Sequence, residues 1–241
     1  MIRKGTQEIF VKAYKGMTME ESNLILRNVS DTAPNIPFDK SRTHLNFEIA
    51  ESGQIVPVDT SQSIPERIKN ILRKENVEDP NKGLAIPRYR TVANFFIGGT
   101  ASIMRAISFG KQNVFDMDNA NNCGIIRMGG IEHWALDVYN FICERYNEKC
   151  IAAFIVHLDV NNPYVNCILI PIITLPNGKK KISWKKKFIG EKDSIFAYKK
   201  KMIELHDELA KVNLKYGLLR GESFHTKRTV RELKTYGFYV T

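Results

Sequence analysis

The segment His157-Leu-Asp-Val-Asn-Asn-Pro163-Tyr-Val-Asn166, set between the apolar runs 151–156 and 167–173, decides how this chain folds. Two β-rich segments around a turn rich in Asp, Asn and Pro read as an antiparallel hairpin. Successive strand side chains point to opposite faces, so His157 and Asp159 share a face with Ile155, and Tyr164 pairs with Asn166 on the return strand. Folding about Asn161-Asn162 gathers these four polar side chains, provided the register lets their edges meet. Polar groups in such apolar strands need a reason. One is a binding site; the other is hydration beside a turn, with His157 an ordinary hydrogen-bonded strand residue.

Upstream, residues 7–14 alternate and predict a strand, and Thr18-Met-Glu-Glu21 is a capping box opening a helix from Met19 to about Arg27. A polar loop covers 30–40, and 41–49 reads as a strand with a polar approach. Ser63-Ile-Pro-Glu66 is a second capping box, with Pro65 in the first turn where its missing N–H does no harm. Residues 75–87 read as a mobile loop and 92–97 as a central strand. Ile131, Trp134, Ala135, Val138, Phe141 and Ile142 follow the 3.6-residue period, predicting a helix over 132–146. Downstream, Ile195, Tyr198, Met202, Leu205, Leu209 and Val212 form one apolar stripe of a long helix that ends before Gly217.

A chain of 241 residues, 43% hydrophobic, can bury a sizeable core as one domain. Its 36 Lys and Arg against 26 Asp and Glu leave ten surplus positive charges, carried at the surface and favouring a polyanionic partner. Cys123, Cys143, Cys150 and Cys167 show no C-x-x-C spacing, so reduced thiols in a cytoplasmic setting are expected. The longest apolar run is too short to span a bilayer, and the N-terminus has no secretory h-region.

The hairpin segment resembles the metal-binding strand of Mob/Pre relaxases, H-x-D-x-x-x-P-H-x-H running into an apolar strand that ends in Pro, here Pro171. Asp39-Lys-Ser-Arg-Thr-His-Leu-Asn-Phe-Glu-Ile49 resembles that family's N-terminal signature, and Tyr216-Gly-Leu-Leu-Arg-Gly-Glu222 the close of its domain. The likeness implies an α+β fold of the HUH-endonuclease type: a central antiparallel sheet of about five strands, helices on one face and DNA across the other. Residues 1–225 would form the relaxase-like domain, with 226–241 a basic tail or the start of a further helix. It implies a mobilisation protein of a mobile element that binds single-stranded or hairpin origin-type DNA, beside other mobilisation or recombination proteins. Relaxases of this family usually continue beyond this length.

Family chemistry uses a side-chain nucleophile on a phosphodiester, and a divalent metal on three imidazoles to polarise it. Only His157 of the three is present; Tyr164 and Asn166 stand at the other positions. Asp159, with His157 and the Asn166 carbonyl, is the remaining candidate set for Mn²⁺ or Mg²⁺. Residues 1–43 contain no His, and the helix that should supply the nucleophile reads Glu21-Ser-Asn-Leu-Ile-Leu-Arg-Asn28. Tyr164 is the substitute nucleophile near a bound phosphate, and Tyr14 the only phenol near that helix. Ser41, Arg42, His44 and Asn46 match the signature: Arg42 as the anion contact, His44 as a catalytic group and Asn46 as a DNA contact beside the phosphate, with Arg220 a further contact in the closing segment. Without the likeness, His44 and Asn46 would bond neighbouring loops and Arg42 would be solvated.

Lys179, Lys180, Lys181, Lys185, Lys186 and Lys187 flank Ile182-Ser-Trp184. Such a run suits a ribbon tracking a phosphate backbone, with Trp184 stacking on a base. The alternative is a solvated turn whose Trp lies in the core. Three functions follow: a DNA-binding relaxase fold with nicking lost or weakened, an active metal-dependent nickase with a non-standard nucleophile, and a partner-binding module of a transfer complex.

Overall fold

The computed structural model describes residues 4–30, 37–115, 121–190 and 194–221; the expected tail 226–241 lies outside them. A seven-stranded sheet forms the centre, in the order β3 (Gln54–Pro57), β2 (Phe47–Ala50), β5 (Ile151–His157), β6 (Tyr164–Leu169), β4 (Val92–Gly99), β1 (Gly5–Tyr14), β9 (Leu218–Leu219). Every pairing is antiparallel except β1 with β9. The five inner strands are those the resemblance implies; β3 and the two-residue β9 extend the edges. A separate ribbon pairs β7 (Ile172–Thr174) with β8 (Lys180–Ile182).

The apolar face of the sheet carries Phe47, Phe95, Phe154, Val156, Val165 and Cys167, all buried against α3 (Ala101–Phe109), α4 (Gly129–Tyr146) and α6 (Ile195–Asn213). Each large side chain so buried contributes about 2 to 3 kcal/mol, which is why this face fixes the register. Asn213, wholly buried, accepts from Trp134 Nε1 at 2.8 Å and donates to Gln7 Oε1 at 2.8 Å, tying α4, α6 and β1 together. Two more helices, α1 (Met19–Leu26) and α2 (Ile64–Lys74), lie over part of the opposite face, where Ile25, Leu26 and Ile64 pack on Val92, Ile155 and Ile168. Both capping boxes form as the sequence predicts, with Thr18 and Ser63 as N-caps.

Local differences have identifiable causes. Residues 40–45 form a 3₁₀ turn instead of extending β2, because the Asp39 carboxylate accepts from Ser41 N at 2.9 Å and from its hydroxyl at 2.7 Å and winds the chain. The loop after α2 is organised around Asn81, whose amide donates to Lys15 O and Tyr89 O and accepts from Arg88 N and Tyr89 N. Helix α3 had no sequence expectation; it starts after Gly98-Gly99-Thr100 and buries Ile103, Met104 and Phe109.

Candidate functional site

The hairpin closes with His157 opposite Tyr164 and Ile155 opposite Asn166, so residues 157, 164 and 166 lie on one face, as the alternation requires. On that face the rings form a row across four strands. Phe10 of β1 lies 6.1 Å from Phe96 of β4, Phe96 lies 6.0 Å from Tyr164 of β6, and Tyr164 lies 5.1 Å from His157 of β5. Phe10 and Phe96 are half-buried and present ring surface, whereas Tyr164 and His157 are covered. Beside the row a groove of about 370 Å³ is lined by Lys12, Tyr14, Leu24, Arg27, Phe96, Tyr164 and Asn166, with α1 as one wall. Phe10 and Phe96 were legible only as hydrophobic members of strands; the signal was that both fall on the same face as His157 once the register is known.

Asp159 leaves the end of β5 wholly buried. Arg27 grips it in a bidentate pair, Nε to Oδ2 at 2.8 Å and Nη2 to Oδ1 at 2.9 Å, while Asn46 Nδ2 donates to Oδ2 at 2.7 Å. Asn46 Oδ1 in turn accepts the backbone N–H of Leu158 at 2.7 Å and of Asp159 at 3.2 Å. Burial works against the Arg27 charge, but the Asp159 carboxylate, with a smaller contribution from Tyr164, outweighs it and raises the pKa. His157 is 0% exposed, and neither ring nitrogen has a hydrogen bond of normal geometry among the described residues. Burial first, then the Arg27 charge, hold its pKa well below the usual value, with the neighbouring Asn166 amide a weaker opposing influence, so the imidazole is neutral. The Asn166 amide donates to Asn94 Oδ1 at 2.9 Å. Burial pushes the Tyr164 phenol up, more than Arg27 pulls it down, so it stays protonated near neutral pH.

Several expected residues take other places. Arg42, read as an anion contact, is 1% exposed; its Nε donates to Asp39 Oδ2 at 2.9 Å, and its side chain braces the 3₁₀ turn. Asn46, read as a DNA contact, spends its whole amide on Asp159 and the hairpin backbone. Trp184, read as a base-stacking residue, is 8% exposed and packs on Phe188 at 4.5 Å, because Ser183 caps the short helix α5 (Trp184–Phe188) and turns the indole into the core. Lys187 Nζ donates to the carbonyls of Tyr146 and Ile172. Lys180 pairs with Glu75 and Arg220 with Asp207. Lys179, Lys181, Lys185 and Lys186 are exposed, as is His44. The lysine ribbon follows the far end of β6, about 17 Å along the strand from Tyr164 at 3.4 Å per residue.

A larger hollow, about 570 Å³, opens beside α2, but Glu48, Glu51, Asp59, Glu75 and Glu148 outnumber the three cations lining it. That balance disfavours a phosphate; the aromatic groove, where Glu20 and Glu21 balance Lys12 and Arg27, is the candidate site because Tyr164 and Asn166 of the hairpin line it.

The chain shares its fold with solved relaxase domains. These are structures of the MobM relaxase domain (MOBV; Mob_Pre). One, bound to plasmid pMV158 oriT DNA of 22 nucleotides with a 3′ thiophosphate and Mn-bound at pH 6.8, has a TM-score of 0.65 at 20% identity, covering 95% of this chain and 98% of that one. A Mn-bound complex with 22 nucleotides at pH 4.6 gives 0.62 at 20% identity over 95% and 99%, and one with 23 nucleotides at pH 6.5 gives 0.58 at 19% over 96% and 99%. No family model and no curated protein matches the chain.

A divalent metal is implied by those Mn-bound neighbours, and the residues present do not fit one. His157 is a suitable donor, buried with both nitrogens unpartnered. Around it, both Asp159 oxygens are taken by a guanidinium, Tyr164 is a neutral phenol, and Asn166, whose amide nitrogen donates to Asn94, has only a neutral carbonyl oxygen to offer. Among the described residues no three His, Cys, Asp or Glu side chains gather as a metal site, and of the expected set His157, Asp159 and Asn166 the carboxylate is held by Arg27. Among the same residues no helix is long and apolar enough to cross a membrane.

Proposed function

We propose that this chain is a mobilisation protein that binds single-stranded or hairpin origin-type DNA across the aromatic face, with strand nicking lost or strongly weakened. The observation that carries the reading is the ring row Phe10–Phe96–Tyr164–His157 beside a groove edged by Lys12. Half-exposed aromatic rings on a sheet, with a cation alongside, suit unstacked bases and their phosphates. The relaxase fold supports the same surface. The exposed Lys179, Lys181, Lys185 and Lys186 extend the positive character along the strand direction and supply salt-sensitive phosphate contacts.

Loss of nicking follows from the same residues. The α1 wall, the helix that the family resemblance would have carry the nucleophile, contributes Leu24 and Ile25 to the groove. Tyr164, the substitute, is buried and held protonated beside Arg27. A phenol in that state is a poor nucleophile, since attack on a phosphodiester needs the phenolate or a nearby base.

Fluorescence anisotropy with labelled single-stranded and hairpin DNA tests this. Affinity should fall steeply with salt, and Phe96→Ala and Phe10→Ala should each weaken binding by about 1 to 3 kcal/mol, the range of a base–aromatic stack. Unchanged affinity in both variants would remove the basis of the reading. A covalent protein–DNA adduct in denaturing electrophoresis would show instead that nicking persists.

A further inference from the structure

We propose that the Arg27–Asp159 ion pair occupies the place of a divalent metal on this face, so that the chain engages phosphate-bearing ligands without one. The DNA part of this inference rests on the function proposed above; the ion-pair assignment does not.

Arg27 caps the C-terminus of α1 in the left-handed region, φ 59°, ψ 22°, a conformation that favours Gly or Asn. What its side chain reaches offsets the backbone cost of a long residue at such a position. Here Nη1 turns back to Leu24 O at 2.7 Å, the fork closes on Asp159, and the guanidinium lies 4.4 Å from the centre of the Phe38 ring. Helix end, carboxylate and aromatic face therefore hold one planar cation, 6% exposed, at the border of the groove.

This arrangement excludes a second cation twice over. Among the described residues, the bidentate pair withdraws the carboxylate nearest to joining His157 as a ligand, and the guanidinium beside the imidazole repels a divalent ion approaching it. Releasing Asp159 to a metal would leave a buried guanidinium without its counter-charge. The cluster is closed on itself with its two charges balanced, independent of metal supply, and gives up the Lewis acidity that nicking would need.

The test uses the full chain, first without DNA. Added Mn²⁺ should keep the electron paramagnetic resonance signal of the free aqueous ion, with no loss assignable to His157. Arg27→Met, which frees Asp159, should bind Mn²⁺ at least about tenfold more tightly than the unmutated chain. Hairpin DNA affinity should then agree within about twofold between EDTA and Mn²⁺ once ionic strength is matched. Mn²⁺ binding by the unmutated chain that His157→Ala abolishes, or a tenfold loss of DNA affinity on chelation, would overturn the proposal. These two arms need no Arg27 variant, so they decide the matter even if Arg27→Met does not fold. Absence of DNA binding in either buffer would count against the proposed function and leave the Mn²⁺ arm to judge the ion pair.

Discussion

Asn46→Ala separates a structural clamp from a DNA contact. The native amide makes three bonds: it donates to Asp159 Oδ2 at 2.7 Å and accepts Leu158 N at 2.7 Å and Asp159 N at 3.2 Å, all buried. Truncation strands two backbone donors, about 1 to 3 kcal/mol each if no water enters, and removes a bond to a charged group, about 1.5 to 3 kcal/mol. Allowing for relaxation and some hydration of the cavity, we expect about 4 kcal/mol of destabilisation. At roughly 3 °C per kcal/mol for a chain of this size, that lowers Tm by about 12 °C. Urea denaturation followed by far-ultraviolet circular dichroism measures it, with an unchanged slope marking a loss of native stability. A shift below about 1 kcal/mol, together with a large loss of DNA affinity, would refute the clamp and restore Asn46 to the DNA.

Three further outcomes follow from the same geometry. His157 has its folded pKa held below the value near 6.5 of the unfolded chain, so below that pH the unfolded state takes up a proton the native state refuses, and stability falls as pH drops, by at most about 1.4 kcal/mol per unit. His157→Phe should flatten the fall in Tm between pH 7 and 5, and an unchanged slope would show that the imidazole is charged in the native state. Asn213→Ala should cost about 2 to 3 kcal/mol by stranding Trp134 Nε1 and the Gln7 amide, as read by chemical denaturation; a neutral effect would mean that water replaces both bonds. Trp184→Ala should cost about 3 to 5 kcal/mol of stability and leave the affinity of the folded variant for DNA within a few-fold, the reverse of a stacking residue.

Features governed by neighbours in the chain were readable from the sequence. The capping boxes at Thr18 and Ser63, the hairpin about residues 158–163 and the inner part of the long-helix stripe, Met202, Leu205 and Leu209, all rest on short-range spacing. The stripe fails at its start, where Ile195 stays exposed. What was hidden depends on partners far apart in sequence. Arg27 is an unremarkable helix-end cation until Asp159, 132 residues later, is folded against it. Phe10 and Phe96 become a ring row only when β1 and β4 pair in the observed register. Trp184 illustrates the opposite error: aromatic residues among lysines suggest a nucleic-acid surface, but a one-residue cap at Ser183 sets the indole inward while the neighbouring lysines point out. Around Arg42, His44 and Asn46 two of the three side chains are buried and make structural bonds, Arg42 to Asp39 and Asn46 to Asp159.

Amide hydrogen exchange of the full chain with and without a hairpin-plus-single-strand DNA tests most directly where the nucleic acid sits. Slowed exchange should map to β1, β4 and the α1 wall around residues 10–27 and 92–98, with lesser change along the lysine ribbon. Protection confined to residues 172–190, or none at all at saturating DNA, would contradict binding across the aromatic face.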